Sequence, residues 1–235
     1  MTALVYLLRH GDIGPTAARR YIGQTDLPLS IAGRQQAQAL ASSLAGCRLD
    51  AIYASDLCRA QLTARIVAAP HGLAVETRRD LREIALGDWE GLARHDVAAR
   101  FPEAYAARGS DIVNFRPAGG ESFADVRLRA LRVWREILAS GNERVAVVAH
   151  AGINRVVLCH ALGLPLSGLL SIAQRYACIN VLRFEQDRCT VEAIDCLTLD
   201  CCHEMTQQPP CRPVPVAGEG PDSDTVDMPD KPATT

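Results

Sequence analysis

The sequence predicts an α/β protein: a three-layer α/β/α sandwich with a mostly parallel central sheet and a small helical cap insertion. Three observations carry that prediction. Short apolar runs alternate with helix-period segments as far as about residue 200, the pattern of a parallel sheet covered by helices on both faces. The run Leu4-Val5-Tyr6-Leu7-Leu8 passes directly into Arg9-His10-Gly11. A second run, Arg144-Val145-Ala146-Val147-Val148-Ala149, passes into His150-Ala151-Gly152. Strands of this kind deliver their last side chains to the carboxyl edge of the sheet, where open α/β folds bind ligands. Two such strand ends suggest two imidazoles meeting at one edge.

The remaining elements follow in order. Ser30 to Leu44 reads as a helix, with Ser30 as N-cap and Ala37, Leu40 and Leu44 on one face. Ala51-Ile52-Tyr53-Ala54 is a short buried strand. Leu57 to Val67 is a second helix, capped by Ser55 or Asp56 and stopped by Pro70. Leu73 to Thr77 is another short strand, and Ser122 to Leu138 a long amphipathic helix closed by Gly141. Ile153 to Leu162 is a helix that ends at Gly163, with Pro165 beyond. Cys178 to Phe184 and Cys189 to Ile194 alternate as a final hairpin.

Composition narrows the function classes. With 235 residues the chain buries one sizeable core, or one core plus an inserted cap. The net charge is −2, from 25 basic and 27 acidic residues, so no strong field draws nucleic acid or an anionic membrane. No apolar stretch reaches transmembrane length, and the N-terminus reads as a strand rather than a signal peptide. The nine cysteines are an odd number in a chain too long to need disulfide staples, which reads as reduced thiols in a cytoplasm. From His203 onward the chain holds seven of its thirteen prolines. The expected division is therefore a folded domain over residues 1–200 and a disordered Pro-rich tail over 201–235.

Arg9 and His10 set an anion-holding guanidinium beside a nucleophilic imidazole. Ser55-Asp56-Leu57-Cys58-Arg59-Ala60 puts Arg59 in the opening turn of a helix, just past a strand. Glu83, in Leu81-Arg82-Glu83-Ile84-Ala85-Leu86-Gly87-Asp88-Trp89-Glu90-Gly91, is a carboxyl suited to general acid work. Singly, each has a plainer reading: a turn, a solvated arginine, a salt-bridged glutamate, a hydrogen-bonded histidine. In this order they reinforce one another.

Together these residues resemble the histidine phosphatase superfamily, the phosphoglycerate mutase-like fold, over about residues 4–195. Arg9-His10-Gly11 looks like the family signature. Gly23-Gln24-Thr25-Asp26-Leu27-Pro28-Leu29-Ser30, with Gly33, looks like its phosphate-loop and helix-start segment. Arg59 matches the second arginine, Glu83 the proton donor and His150 the second histidine. The resemblance implies a catalytic set of His10, Glu83, Arg9, Arg59 and His150. It implies phosphate contacts from Arg9, Thr16, Gly23, Gln24, Arg59 and His150. Asp12, Ile13, Thr16 and Ala151 depart from the usual pattern, and Thr16 stands where many members carry an asparagine that touches phosphate.

The implied chemistry is covalent. His10 attacks phosphorus to give a phosphohistidine, the cationic groups surround the oxygens that gather charge, and Glu83 protonates the leaving alkoxide and then activates water. No metal and no cofactor are expected, since the chain shows neither a carboxylate cluster nor a P-loop. The expected partner is a small phosphorylated metabolite, in a monomer or homodimer. Tyr21 to Ser30 looks most like the α-ribazole phosphatase branch, which acts on a riboside 5′-phosphate in cobalamin assembly. The specificity surface falls in Leu92 to Gly120, where Phe101, Tyr105 and Phe115, with Trp89, serve either cap packing or substrate stacking. Arg19, Arg20 and Tyr21 lie in the loop before Gly23, placed either to reach a polar leaving group or simply to form a solvated loop.

Two alternatives stand beside a phosphomonoesterase. A phosphoglycerate mutase shares every catalytic group, although the stretch from Glu83 to His150 is short for one and Ile84-Ala85-Leu86-Gly87 replaces the Arg-Tyr-Gly run of those enzymes. A phosphate-sensing or protein-binding module would need no turnover, and the intact set argues against it. In the tail, Cys201, Cys202, His203 and Cys211 gather thiolate and imidazole ligands at a spacing that fits no standard zinc pair.

Overall fold

In a computed structural model the described residues are 2–14, 20–185 and 188–199. Thr16, Arg19 and the whole 201–235 segment, with its cysteine–histidine cluster, lie outside them.

Six strands form one sheet in the order β3-β2-β4-β1-β5-β6. They are β1 (Thr2–Arg9), β2 (Ala51–Ala54), β3 (Val75–Thr77), β4 (Arg144–Ala149), β5 (Ile179–Glu185) and β6 (Arg188–Cys196). The first four run parallel, and the β5–β6 hairpin joins β1 antiparallel, so the sheet is mixed at that edge. Hairpin strands need only a short turn, whereas each parallel neighbour needs a crossover helix.

The helices are α1 (Ile31–Leu44), α2 (Cys58–Ala68), α3 (Arg94–Arg100), α4 (Pro102–Ser110), α5 (Phe123–Ala139) and α6 (Ala151–Leu162). The period-2 alternation of β1 explains the layers. Val5 and Leu7 join Val145 and Val147 under α5 and α6, while Tyr6 and Leu8 join Ala146 and Val148 under α1 and α2. The central strands are buried on both faces, which is why they read as unbroken apolar runs.

Local chemistry sets the helix ends. The Ser30 hydroxyl accepts from Gly33 N–H at α1. Ser122 and Asp125 close a reciprocal capping box at α5. Gly163 ends α6 in the left-handed region. At α2 the cap differs from expectation. Leu57 is the N-cap residue, and its own side chain supplies no cap bond. Asp26, from a distant loop, accepts the Cys58 N–H at 2.8 Å, leaving Asp56 to a forked ion pair with Arg82. Helix α6 also starts two residues ahead of the apolar period, directly after His150.

Candidate active site

The register of β1 against β4 creates the site. Arg9 pairs with Ala149, so the next residues, His10 and His150, leave adjacent parallel strands side by side. Their ring centroids stand 5.0 Å apart, close to the spacing of neighbouring strands. His10 is clamped there: its N–H donates to the Ala149 carbonyl and its carbonyl accepts from Ala177 N–H. Gly11 is glycine because a Cβ would lie 2.3 Å from the Gly33 carbonyl, so only a bare backbone lets the first turn of α1 press against this loop.

The His10 ring is oriented as well as buried. Its Nδ1 lies 2.7 Å from the Gly11 carbonyl, which can only accept, so Nδ1 carries the proton and Nε2 keeps a free lone pair. Burial, then the nearby Arg59 and Arg9 charges, hold this imidazole well below its usual range. His150 is lowered likewise by burial, Arg59, His10 and Arg9. Both of its ring nitrogens are buried without a hydrogen-bond partner among the described residues. The surroundings of His10 and His150 therefore favour two neutral imidazoles.

Two guanidiniums flank the pair. The Arg59 terminal nitrogens donate to the Thr25 carbonyl at 2.8 Å and the Gly23 carbonyl at 2.6 Å, while its Nε has no partner among the described residues. Arg9 donates to the Gln174 carbonyl, and its guanidinium carbon lies 3.8 Å from the centre of the Tyr176 ring, a stacked cation–π contact.

Glu83 reaches the same floor from the turn after β3. Its two oxygens accept from Ile84 N–H at 3.0 Å and from Gly152 N–H at 2.9 Å, the latter in the first turn of α6. A Cβ on Gly152 would fall 2.2 Å from the carboxylate, so glycine two places after His150 makes room for it. Arg129 of α5 pins the turn, donating to the carbonyls of Asp80, Arg82 and Glu83 and pairing with Glu121.

Glu90 does the corresponding work on the Arg59 side. It accepts from the N–H groups of Gly23, Gln24, Thr25 and Leu86 and from the Thr25 hydroxyl. Burial would raise this carboxyl, but those hydrogen bonds outweigh it and hold it below the ordinary range. The bonds fix the turn whose carbonyls seat Arg59. The sequence reading puts Gly23 and Gln24 at the phosphate. In the structure their N–H groups serve Glu90, and the Gln24 side-chain amide donates to the Glu83 carbonyl at 3.1 Å.

These groups surround a cleft of about 260 Å³. His10, Arg9, Arg59 and Glu83 line it directly, joined by Arg20, Tyr21, Arg94, Arg108, Arg155 and Tyr176. Trp89 is buried against Tyr21 and Phe115, with ring centroids 5.2 and 5.3 Å away, and unlike Tyr21 neither Trp89 nor Phe115 lines the cleft. Among the described residues no three His, Cys, Asp or Glu side chains gather as metal ligands, and no helix is long and apolar enough to cross a membrane.

Sequence reasoning passed over Glu90, Arg129, Arg155 and Tyr176. Arg155 had a signal, since it lies in the helix that begins directly after His150. Glu90 and Arg129 had none, because their partners lie up to 67 and 49 residues away.

Residues 5–196 match the sequence profile of the histidine phosphatase superfamily (branch 1). The chain is 40% identical over 157 residues to phosphoglycerate mutase-like protein 4 of Arabidopsis thaliana, covering 65% of this chain and 68% of that one. It is 39% identical over 167 residues to the glucosyl-3-phosphoglycerate phosphatase of Mycolicibacterium vanbaalenii, covering 68% of this chain and 74% of that one. The solved α-ribazole phosphatase of Shigella flexneri superposes with a TM-score of 0.77 at 26% identity, covering 83% of this chain and 97% of that one.

Proposed function

The chain belongs to branch 1 of the histidine phosphatase superfamily and is a phosphatase, and on that premise we propose that it hydrolyses a small phosphomonoester through a phosphohistidine on His10, without a metal. One observation carries the reading. His10 lines a cleft with Arg9, Arg59 and Glu83, its tautomer set for attack through Nε2, and the buried His150 imidazole stands 5.0 Å behind it.

In the first step the Nε2 lone pair forms a bond to phosphorus as the bond to the leaving oxygen breaks, and Glu83 delivers a proton to that oxygen. Arg9 and Arg59 take the charge that gathers on the other phosphate oxygens. The incoming dianion reverses the local field that keeps His150 neutral, so His150 takes up a proton and donates to the phosphate. In the second step water attacks phosphorus, Glu83 accepts the water's proton, and the P–N bond breaks to release inorganic phosphate and restore His10.

The finer expectation of α-ribazole 5′-phosphate draws on residues 21–30 and on the Shigella fold match. The name of the Mycolicibacterium relative draws attention equally to a sugar-linked phosphoglycerate. A panel of phosphomonoesters holding both decides between them. The class itself is tested by p-nitrophenyl phosphate in excess EDTA, with an alkaline denaturing quench of the protein to trap base-stable, acid-labile phosphate. Sustained turnover with label on His10 is expected. Turnover abolished by the chelator would sink the metal-free reading, and isomerisation of 3-phosphoglycerate without phosphate release would make the protein a mutase.

A further inference from the structure

The cleft carries more positive charge than a phosphoryl group needs. Six guanidiniums line it, those of Arg9, Arg20, Arg59, Arg94, Arg108 and Arg155, against the single carboxylate of Glu83. The chain as a whole has a net charge of −2, so this is a local concentration and not general basicity. Arg9 and Arg59 match the two charges of a phosphomonoester. Arg155 is anchored by its Nε to the Ile172 carbonyl at 2.8 Å and feels the Glu83 charge.

Arg20, Arg94 and Arg108 remain, and among the described residues none forms an ion pair with a carboxylate. By contrast, Arg116, Arg129 and Arg132, in or beside α5, each have one. The fold brings the three together. Arg20 bridges Ala93 antiparallel, which sets Arg20 and Arg94 on adjoining segments, and Tyr21 N–H donates to the Leu92 carbonyl beside them. Arg108 reaches over from α4, its guanidinium 5.5 Å from the centre of the Tyr21 ring. Among the described residues, Arg20 alone of the three makes a side-chain hydrogen bond, to the Gly91 carbonyl at 2.7 Å. Three like charges held near one aromatic ring repel one another unless an anion sits among them. The cleft lining also includes Ile13, Ile22 and Leu170, apolar surface that suits a short carbon skeleton.

We propose that the substrate's leaving group bears a second negative charge, a carboxylate or a further phosphate, held at the cleft mouth by Arg20, Arg94 and Arg108. The proposal rests on the phosphatase reading and narrows its substrate class: a neutral riboside leaving group would leave all three cations unmatched.

The test reads competition against p-nitrophenyl phosphate, so a competitor need not turn over. 3-Phosphoglycerate and glycerol 1-phosphate form one pair, differing in a carboxylate against a hydroxymethyl. Fructose 1,6-bisphosphate and fructose 6-phosphate form a second, differing in a phosphate. The anionic member of at least one pair is expected to bind about tenfold or more tightly, the size of a hydrogen-bonded charge contact. In the double variant Arg94→Gln, Arg108→Gln that ratio should fall to near one. A preference confined to the first pair assigns a carboxylate, and one confined to the second assigns a phosphate. Ratios near one in the native protein overturn the proposal, as does a preference that survives the double variant. If the native protein fails to turn over p-nitrophenyl phosphate, the phosphatase reading falls and this inference falls with it.

Discussion

The floor and the mouth of the cleft are built by different physics. On the floor, His10, Arg59, Glu83 and His150 are all buried; His10 and His150 stand at strand ends, Arg59 at a helix start, and backbone donors or acceptors hold the His10, Arg59 and Glu83 side chains. At the mouth, Arg20 and Arg94 are exposed and stand on a single isolated bridge and the start of the seven-residue helix α3. A sheet edge cannot shift one residue without turning its side chains to the other face. A short surface helix can change side chains at little cost to the core. On the proposed reading, the contrast teaches that the phosphoryl chemistry is locked to the topology, while the choice of leaving group is delegated to residues that the fold holds loosely.

The largest expected effect lies on the floor. His10→Ala should remove measurable turnover of every phosphomonoester and every trace of trapped phosphohistidine, with far-ultraviolet circular dichroism unchanged. Near-native activity in that variant would break the comparison, because the locked residue would then be dispensable.

Glu83→Gln should follow. It keeps an oxygen for the donors at Ile84 and Gly152 but has no proton to give the leaving group. Activity on alkyl phosphates should fall roughly 10²- to 10⁴-fold, the usual size of general-acid catalysis. The loss on p-nitrophenyl phosphate should be far smaller, since that leaving group departs as a stable anion. Equal losses on both substrates would recast Glu83 as a group that only positions the start of α6.

A smaller effect concerns stability and pH. The folded-state pKa values of His10 and His150 lie well below the ordinary 6.5, burial being the first cause for each. The unfolded chain therefore binds protons first as the pH falls, and νU exceeds νN below about 6.5. The stability these neutral imidazoles contribute is complete above that pH and is lost on going down through the folded values. The limiting slope is about 1.4 kcal/mol per pH unit for each group. Tm should decline on acidification from pH 7 to 5, and His150→Gln should flatten the decline. Saturating inorganic phosphate should flatten it too, by favouring the imidazolium. An acid decline as steep in His150→Gln as in the native protein would place the titration elsewhere.

The smallest effect is expected beyond both regions. We place the whole activity within residues 1–200, and a chain stopped after Asp200 should keep its kcat/KM and Tm within error and lose no stoichiometric zinc. Loss of activity would bring residues 201–235 into the comparison as a third part of the site, and loss of zinc would revive the cluster at Cys201, Cys202, His203 and Cys211.

The sequence by itself determined the scaffold. Its strand runs, the Ser30 cap and the Gly163 stop are local signals, each written within a few residues, and β2 and β4 fall on the expected residues. It also foreshadowed the meeting of two imidazoles, because His10 and His150 stand at strand ends that a parallel sheet must bring to one edge. Only the tertiary structure decided how those groups are held. Glu90 serves Arg59 through a turn more than sixty residues before it, Arg129 grips the Glu83 turn from α5, and Asp26 in place of Ser55 or Asp56 caps α2. It alone also turned the cap aromatics inward and gathered Arg20, Arg94 and Arg108 around Tyr21. The physical reason is range. Periodicity and capping act within a turn or two of chain, whereas a buried carboxylate or an unmatched guanidinium answers to whatever the folded backbone sets beside it.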